Sequence, residues 1–228
     1  DGYFIALDAA TSTFFLSDLL DGTTWDPTQF AQRTIAPDAW IAMQVMDTAR
    51  QLWLFGDETS EVWYSAGTFP FPFAPHPSGL IPFGIAARSS PKNVGGSLMW
   101  LSRTKGGSGQ VVRADGLNAR VVSDYPMAVA MSRYLATFGA MALDDAVGDS
   151  FEYLGHWFYI LTFPTADATW VYDRDTNIWV EWLTWDSSTS SYTGWRPLFH
   201  VNAFGRHLVG DRLSGTIYRL DVTSGTDV

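Results

Sequence analysis

The sequence predicts an all-β protein: a β-propeller of about five to six blades, with one short connector helix near residues 126–137. Three observations predict it. A two-strand phrase, clearest at Leu52 to Gly67 (Leu-Trp-Leu-Phe-Gly-Asp-Glu-Thr-Ser-Glu-Val-Trp-Tyr-Ser-Ala-Gly), occurs five times, its apolar runs starting at residues 3, 52, 98, 157 and 207, with spacings of 49, 46, 59 and 50. Repeats of roughly 40 to 50 residues, each supplying about four short strands, suit a propeller, because a small twisted sheet cannot bury both faces alone. The apolar runs are short and interrupted by Gly, Pro or Asp, which no helical architecture explains. Eleven Trp among 228 residues favour strands, where flat rings pack across a pleated face.

Taken in order, the first copy is a strand at Tyr3 to Leu7, a turn at Asp8 to Ser12 and a partner at Thr13 to Ser17. The second follows a strand at Trp40 to Met46. The third runs from Leu98 to Ser102, through the turn Gly106 to Gly109, to Gln110 to Arg113, with a further strand at Ala119 to Val122. The fourth comprises Trp157 to Leu161, Thr169 to Tyr172 and Ile178 to Trp182, and the fifth His207 to Gly210 and Thr216 to Leu220. Five prolines between Phe69 and Phe83 mark an extended loop or edge segment that cannot be a central strand. Between the third and fourth copies, Met127, Ala130, Met131, Tyr134 and Leu135 fall at helical offsets, behind Pro126 and ahead of Gly139. The first copy lacks an upstream strand and the last a downstream one, so either flanking sequence supplies them or the two ends meet in one blade.

Residues 1–228 are expected to form one propeller domain, and the start at Asp1 and the polar turn at Ser224 to Val228 suggest a piece of a longer chain. No cysteine is present, so neither a disulfide nor a thiolate metal site exists; this fits assembly in a reducing cytoplasm. No apolar run reaches the ~18 residues that would span a bilayer as a helix, and membrane insertion by this domain is not expected. The formal charge of −10 argues against tight wrapping of nucleic acid, but suits a lumen through which nucleic acid slides.

No constellation of catalytic, cofactor or metal residues stands out. His76, His156, His200 and His207 are widely spaced and read as loop or strand-edge residues. Asp173-x-Asp175-x-Asn177 copies the start of a calcium loop, but Trp179 and Thr184 stand where further oxygen ligands belong, so a hydrogen-bonded turn is expected. Asp21-Gly22-Thr23-Thr24-Trp25 has the wrong spacing for the Asp-box turn of sialidases. Asp144, Asp145, Asp149 and Glu152 read as a solvated acidic loop rather than a glycosidase pair.

Eight stretches, in order across nearly the whole chain, resemble the packaged-DNA stabilisation or tail-nozzle (tail accessory) proteins of short-tailed bacteriophages. They are Phe14 to Asp18; Ala36-Pro37-Asp38; Leu52 to Gly56 with Thr59 to Trp63; Gly67 to Phe73 and on to Gly84; Met99-Trp100-Leu101; Gly155 to Tyr159; Val171 to Asp173 with Trp179 to Glu181; and Val209 to Asp211 with Gly215-x-Ile217-Tyr218. The resemblance implies a structural virion protein of the tail, assembled in the host cytoplasm and without reaction or cofactor. It would form a homo-hexameric ring, contact the portal or adaptor and other tail proteins, and pass genomic DNA without binding it tightly. The positions carrying the motifs, expected to be structural, are Trp53, Phe55, Gly56, Glu61, Trp63, Trp100, His156, Tyr159, Tyr172, Trp179 and Tyr218. Trp53, Phe55, Val62 and Trp63 are expected to pack between blades.

The alternative is a carbohydrate-binding propeller that stacks host surface glycans on Trp or Tyr. Exposed aromatics beside Asp and Asn at blade ends would favour it, and aromatics buried between blades the nozzle. A propeller glycosidase, the third reading, would need two carboxylates facing a central pocket.

Overall fold

The computed structural model describes residues 2–33 and 35–221. The first sheet holds β1 (Ile5–Asp8), β2 (Thr13–Leu16) and β3 (Phe30–Gln32). The second holds β4 (Trp40–Met46), β5 (Gln51–Gly56), β6 (Ser60–Ser65) and β7 (Phe73–Ile81). β8 (Lys92–Val94), β9 (Ser97–Arg103), β10 (Gly109–Asp115) and β11 (Asn118–Val121) make the third. After α1 (Tyr125–Phe138) and α2 (Met141–Asp144), β12 (Val147–Tyr153), β13 (His156–Phe163), β14 (Ala168–Asp173) and β15 (Ile178–Glu181) make the fourth. A hairpin of β16 (Leu183–Asp186) and β17 (Ser191–Gly194) precedes the fifth sheet, β18 (Pro197–Ala203), β19 (Arg206–Asp211) and β20 (Ile217–Arg219). Every strand in these sheets pairs antiparallel with its neighbour in the chain. The protein is an all-β propeller fold with a short helical insertion.

Strand periodicity decides which side chains meet. Along β5, Leu52 and Leu54 face the first sheet, while Trp53 and Phe55 face the third. Successive sheets are joined by four apolar seams. The first collects Phe14 and Leu16 with Trp40, Leu52, Leu54 and Trp63. The second sets Trp53, Phe55 and Val62 against Leu98, Trp100 and Val112. In the third, Met99, Leu101 and Val111 meet Tyr159, Leu161, Tyr172 and Trp179. The fourth is thin: Phe151, Ile160 and Val171 are its buried members.

The connector helix agrees closely with its expected bounds. The Asp124 carboxylate accepts the Met127 N–H at 3.0 Å, Pro126 fits the first turn, and the Gly139 N–H closes the end on the Leu135 carbonyl. Met127 and Met131 enter the third seam, so the helix fills a wedge between sheets. A Cβ on Gly109 would overlap the Met131 sulfur.

The five apolar runs are homologous positions: four are the second strands β5, β9, β13 and β19, and the first is β1, which leads into its sheet's turn as they do. The strands that precede them in the later sheets, β8, β12 and β18, went unread apart from β4. β12 lies between β8 and β18 along the inner side of the stack, and β8 and β12 carry several small or polar residues there. Gly148 in β12 shows why: a Cβ there would collide with the Ser90 backbone. The proline-rich stretch forms β7, an outer edge strand, as its composition requires. Asp1 and the turn at 224–228 lie outside the described residues. β1 pairs only with β2 and β20 only with β19, so among the described residues the two ends do not share a blade.

Candidate functional site

Antiparallel order puts each turn between second and third strands at the same end of the stack as the crossover to the next sheet. That rim carries a buried ion cluster. Arg33, just after β3, lies with its guanidinium buried; its Nη2 is 2.9 Å from Asp38 Oδ1 and its Nε 2.9 Å from Glu61 Oε1, the latter an ion pair without hydrogen-bond alignment. Nη2 also donates to Thr59 Oγ1 at 2.5 Å, and the guanidinium sits 6.0 Å from the Trp40 ring centroid. Asp38 accepts the backbone N–H groups of Glu58 and Thr59, each at 3.0 Å, and the Thr59 hydroxyl at 3.0 Å. These bonds hold its carboxyl below the usual carboxylate range, although burial opposes them. Burial pushes the Glu61 carboxyl up, against the pull of the Trp63 indole N–H and of Arg33. Gly56 closes the cluster, since a Cβ there would overlap both the Arg33 guanidinium and the Asp38 carboxylate.

The device recurs two sheets later. Asp145, two residues before β12, accepts the Thr165 N–H at 2.9 Å and its hydroxyl at 2.6 Å, as Asp38, two residues before β4, does with Thr59. In the third sheet Ser90, two residues before β8, takes the position and accepts the Leu101 N–H at 3.0 Å. Asp144 pairs with Arg103, and Asp149 accepts the His200 N–H at 2.7 Å. The acidic stretch expected to be a solvated loop is therefore a set of separate tethers: backbone direction sends neighbouring carboxylates to different strands.

Between the second and third sheets the rim opens into a groove of about 1140 Å³. Apolar Ile85 and Ala86, acidic Asp57 and Glu58, and basic Arg88, Arg103 and Lys105 are among its lining residues.

The motif residues do not converge on one pocket. Trp53 and Phe55 surround Trp100, with ring centroids at 5.7 and 5.3 Å, and the Trp100 indole donates to the Gly84 carbonyl at 2.9 Å. Trp63 packs edge-on against Phe14 and Trp40 in the first seam. Tyr159, fully buried, donates to the Ser90 carbonyl at 2.8 Å, and burial drives its phenol far upward. Tyr172 donates to Asn177 Oδ1 at 2.7 Å, Trp179 to the Val122 carbonyl at 2.8 Å, and Tyr218 pairs with Val209 in the fifth sheet. Of these, only Gly56 and Glu61 border the rim cluster. Arg33, Asp38 and Thr59 complete their cluster; the Ala36-Pro37-Asp38 motif contained the carboxylate, but nothing in sequence distinguished Arg33 from the other arginines.

His156 stands at the opposite rim, its Nδ1 2.8 Å from Asp173 Oδ2. With Asp175 these form the one group of three potential metal ligands among the described residues, their ligand atoms within 4.8 Å of one another. Asp173 Oδ1 accepts the Asp175 N–H, and Asp175 Oδ2 accepts the Trp157 N–H at 2.7 Å. Asn177 instead bonds Tyr172, so the calcium-like spacing folds as a hydrogen-bonded turn. The separate reading of the histidines needs correction for one pair: β18 and β19 bring His200 Nε2 to 2.9 Å from His207 Nδ1. Seven residues of separation across a hairpin turn place both on one face.

The stacked sheets define the class, a β-propeller protein. A family model described as "Bacteriophage P22 Gp10, beta-propeller", named Phage_stabilise, matches residues 1–225, and the chain belongs to that family. It is a phage structural protein, and its place is the virion. No curated protein matches the chain. Among solved structures it is similar to the β-propeller domain of Cps50 (Swd1) from Myceliophteria thermophila, at 9% identity and TM-score 0.42, covering 100% of this chain and 65% of that one. It is similar to a luciferin-regenerating enzyme at 9% identity and TM-score 0.40, covering 96% and 71%. A puromycin-hydrolyzing peptidase of Mycobacterium tuberculosis is similar at 10% identity and TM-score 0.38, covering 96% and 38%.

Proposed function

We propose that this chain builds part of the portal-proximal nozzle of a phage tail, retaining packaged DNA and conducting it during ejection, without catalysing a reaction. Family membership over residues 1–225 carries the reading. Three thick apolar seams and rim ion clusters support it, because a collar under internal genome pressure needs sheets that do not slide. The working form is a homo-hexameric ring against the portal or adaptor, assembled in the host cytoplasm, with DNA passing and not held tightly. Microscopy of the parent particle with a tag on this chain tests it: label around the tail channel is expected, and peripheral label overturns it. Binding to duplex DNA is expected to be weak and salt-sensitive; a submicromolar Kd near physiological salt defeats the sliding surface.

One observation favours the glycan-binding alternative. On the β16–β17 hairpin, Trp185 and Tyr192 pair across the strands at 5.0 Å and both face solvent. Stacking of a hexose on Trp185 would show as glycan-array binding lost in Trp185→Ala.

A further inference from the structure

The fourth seam is filled where the other seams are apolar by two imidazoles. The His200 ring stacks on Phe151 at 4.2 Å and 26°, and His207 meets the Tyr153 ring edge-on at 4.7 Å. Between them runs a single hydrogen bond, His200 Nε2 to His207 Nδ1, 2.9 Å long. Such a bond holds one proton. A first added proton leaves an imidazolium donating to an imidazole, so the bond survives. A second puts N–H against N–H, with two cations whose ring centroids are 5.0 Å apart.

We propose that the His200–His207 pair, carried by β18 and β19 of the fifth sheet and packed on Phe151 and Tyr153 of the fourth, is a proton-operated latch: with one shared proton both rings stay seated in the seam, and loading a second makes them a repelling pair of cations that leaves it and releases the fifth sheet from the fourth. The surroundings suit this role. β12 contributes Asp149, which accepts the His200 N–H through its carboxylate, and the Tyr153 phenol; Lys92 of β8 acts on Asp149. From the fifth sheet Tyr218 lies beside Val209. The Phe158, Ile160 and Val171 side chains of the fourth sheet, and Trp182 just after it, bring no ionisable group. Asp149 holds main chain and not either imidazole's shared edge, so it does not neutralise the second proton where it binds. Burial and the neighbouring His207 both push His200 below the ordinary histidine value.

The fifth sheet has a described neighbour on one face only. Its far face exposes Phe199, Val201 and Ile217, with no described sheet against it. Asp167 at the rim bonds both Arg212 and the Gly194 N–H, and Arg196 pairs with Asp211 at 2.5 Å; these leave a hinge when the seam opens.

Hydrogen exchange by NMR, with titration of the histidine ring protons between about pH 7.5 and 5.0, tests the latch, the window being set by the ordinary histidine value of about 6.5. The β18 and β19 amides are expected to lose at least tenfold protection across that range while β9 and β10 keep theirs. His207→Asn, whose side-chain amide can meet His200 without gaining charge, is expected to cut the pH-dependent loss to the part that burial of His200 alone gives. Unchanged wild-type protection overturns the proposal, as does an equal loss in His207→Asn. Should that variant not fold, His200→Gln serves, and in wild type two independent single-proton titrations of His200 and His207 overturn the latch.

Discussion

The second and fourth seams are built from the same repeat and are held by different forces. In the second, Trp53, Phe55 and Trp100 are almost wholly out of solvent, and its one deep indole N–H is satisfied by the Gly84 carbonyl. In the fourth, a stacked histidine and its hydrogen-bonded partner stand where a Trp or Phe would be, and few apolar side chains are buried. Apolar burial is insensitive to protons, whereas an imidazole pair is not. Repetition of a blade therefore conserves geometry while leaving each seam free to be permanent or responsive.

The largest effect that would break this contrast is at Trp100. Trp100→Ala leaves a cavity among Trp53, Phe55 and Val112 and an orphaned Gly84 carbonyl, and is expected to cost about 3–5 kcal/mol. Denaturant unfolding followed by tryptophan fluorescence measures it. Phe151→Leu, in the thin seam, is expected to cost under about 1.5 kcal/mol. Equal losses would erase the distinction.

The buried ion cluster comes next. Arg33→Met strands Glu61 in a site with no remaining cation, at a cost of about 3 kcal/mol. Arg33→Met combined with Glu61→Leu is expected to recover most of that loss, because the charge and its desolvation leave together. Failure of the double variant to recover would mean that the cluster orders the first two sheets by more than its charges. Asp145→Ala removes two charge-assisted bonds to Thr165 in an exposed setting and is expected to cost about 1 kcal/mol, read as a shift in denaturation midpoint.

Sequence disclosed the second strands and hid two of the first ones, β8 and β12, for one physical reason. β5, β9 and β13 lie between neighbours on both faces, so Leu52 to Phe55, Leu98 to Leu101 and Tyr159 to Leu161 are apolar without interruption. Strands β8 and β12 run along the crowded inner side and carry Lys92, Asn93, Gly148 and Asp149, which read as loop. The buried roles of Trp53, Trp63 and Trp100 were legible from their strand positions. The Arg33–Asp38–Glu61 cluster was not, since it joins residues from a crossover, a turn and a strand. The −10 charge was read as a property of the lumen, yet Asp8, Asp21, Asp26, Asp173, Asp186 and Asp211 all close turns by accepting nearby N–H or hydroxyl groups. Much of the acidity is turn chemistry.

The smallest expected effect separates the seams by pH. Asp38, Asp115, Asp173 and Asp211 have folded-state values below their unfolded ones, so their stabilisation is present above the ordinary carboxylate value of about 3.9 and is lost as the pH falls through the lowered values. His200 is likewise depressed, but from about 6.5, so its neutral form begins to lose stability as the pH falls below that point. Glu61 is raised and works in the other direction, since proton uptake relieves its burial as the pH falls. Between pH 7.5 and 5.5 the carboxylate turns are silent, leaving the histidine loss set against any gain from Glu61 and Asp149, both raised by burial. Wild type is expected to lose stability across that window. His207→Asn removes the second cation but leaves the burial of His200, so its denaturation midpoint should fall less on acidification than that of wild type. A midpoint that falls as in wild type would mean that the acid sensitivity lies in some other seam, and the second and fourth would then differ in composition alone.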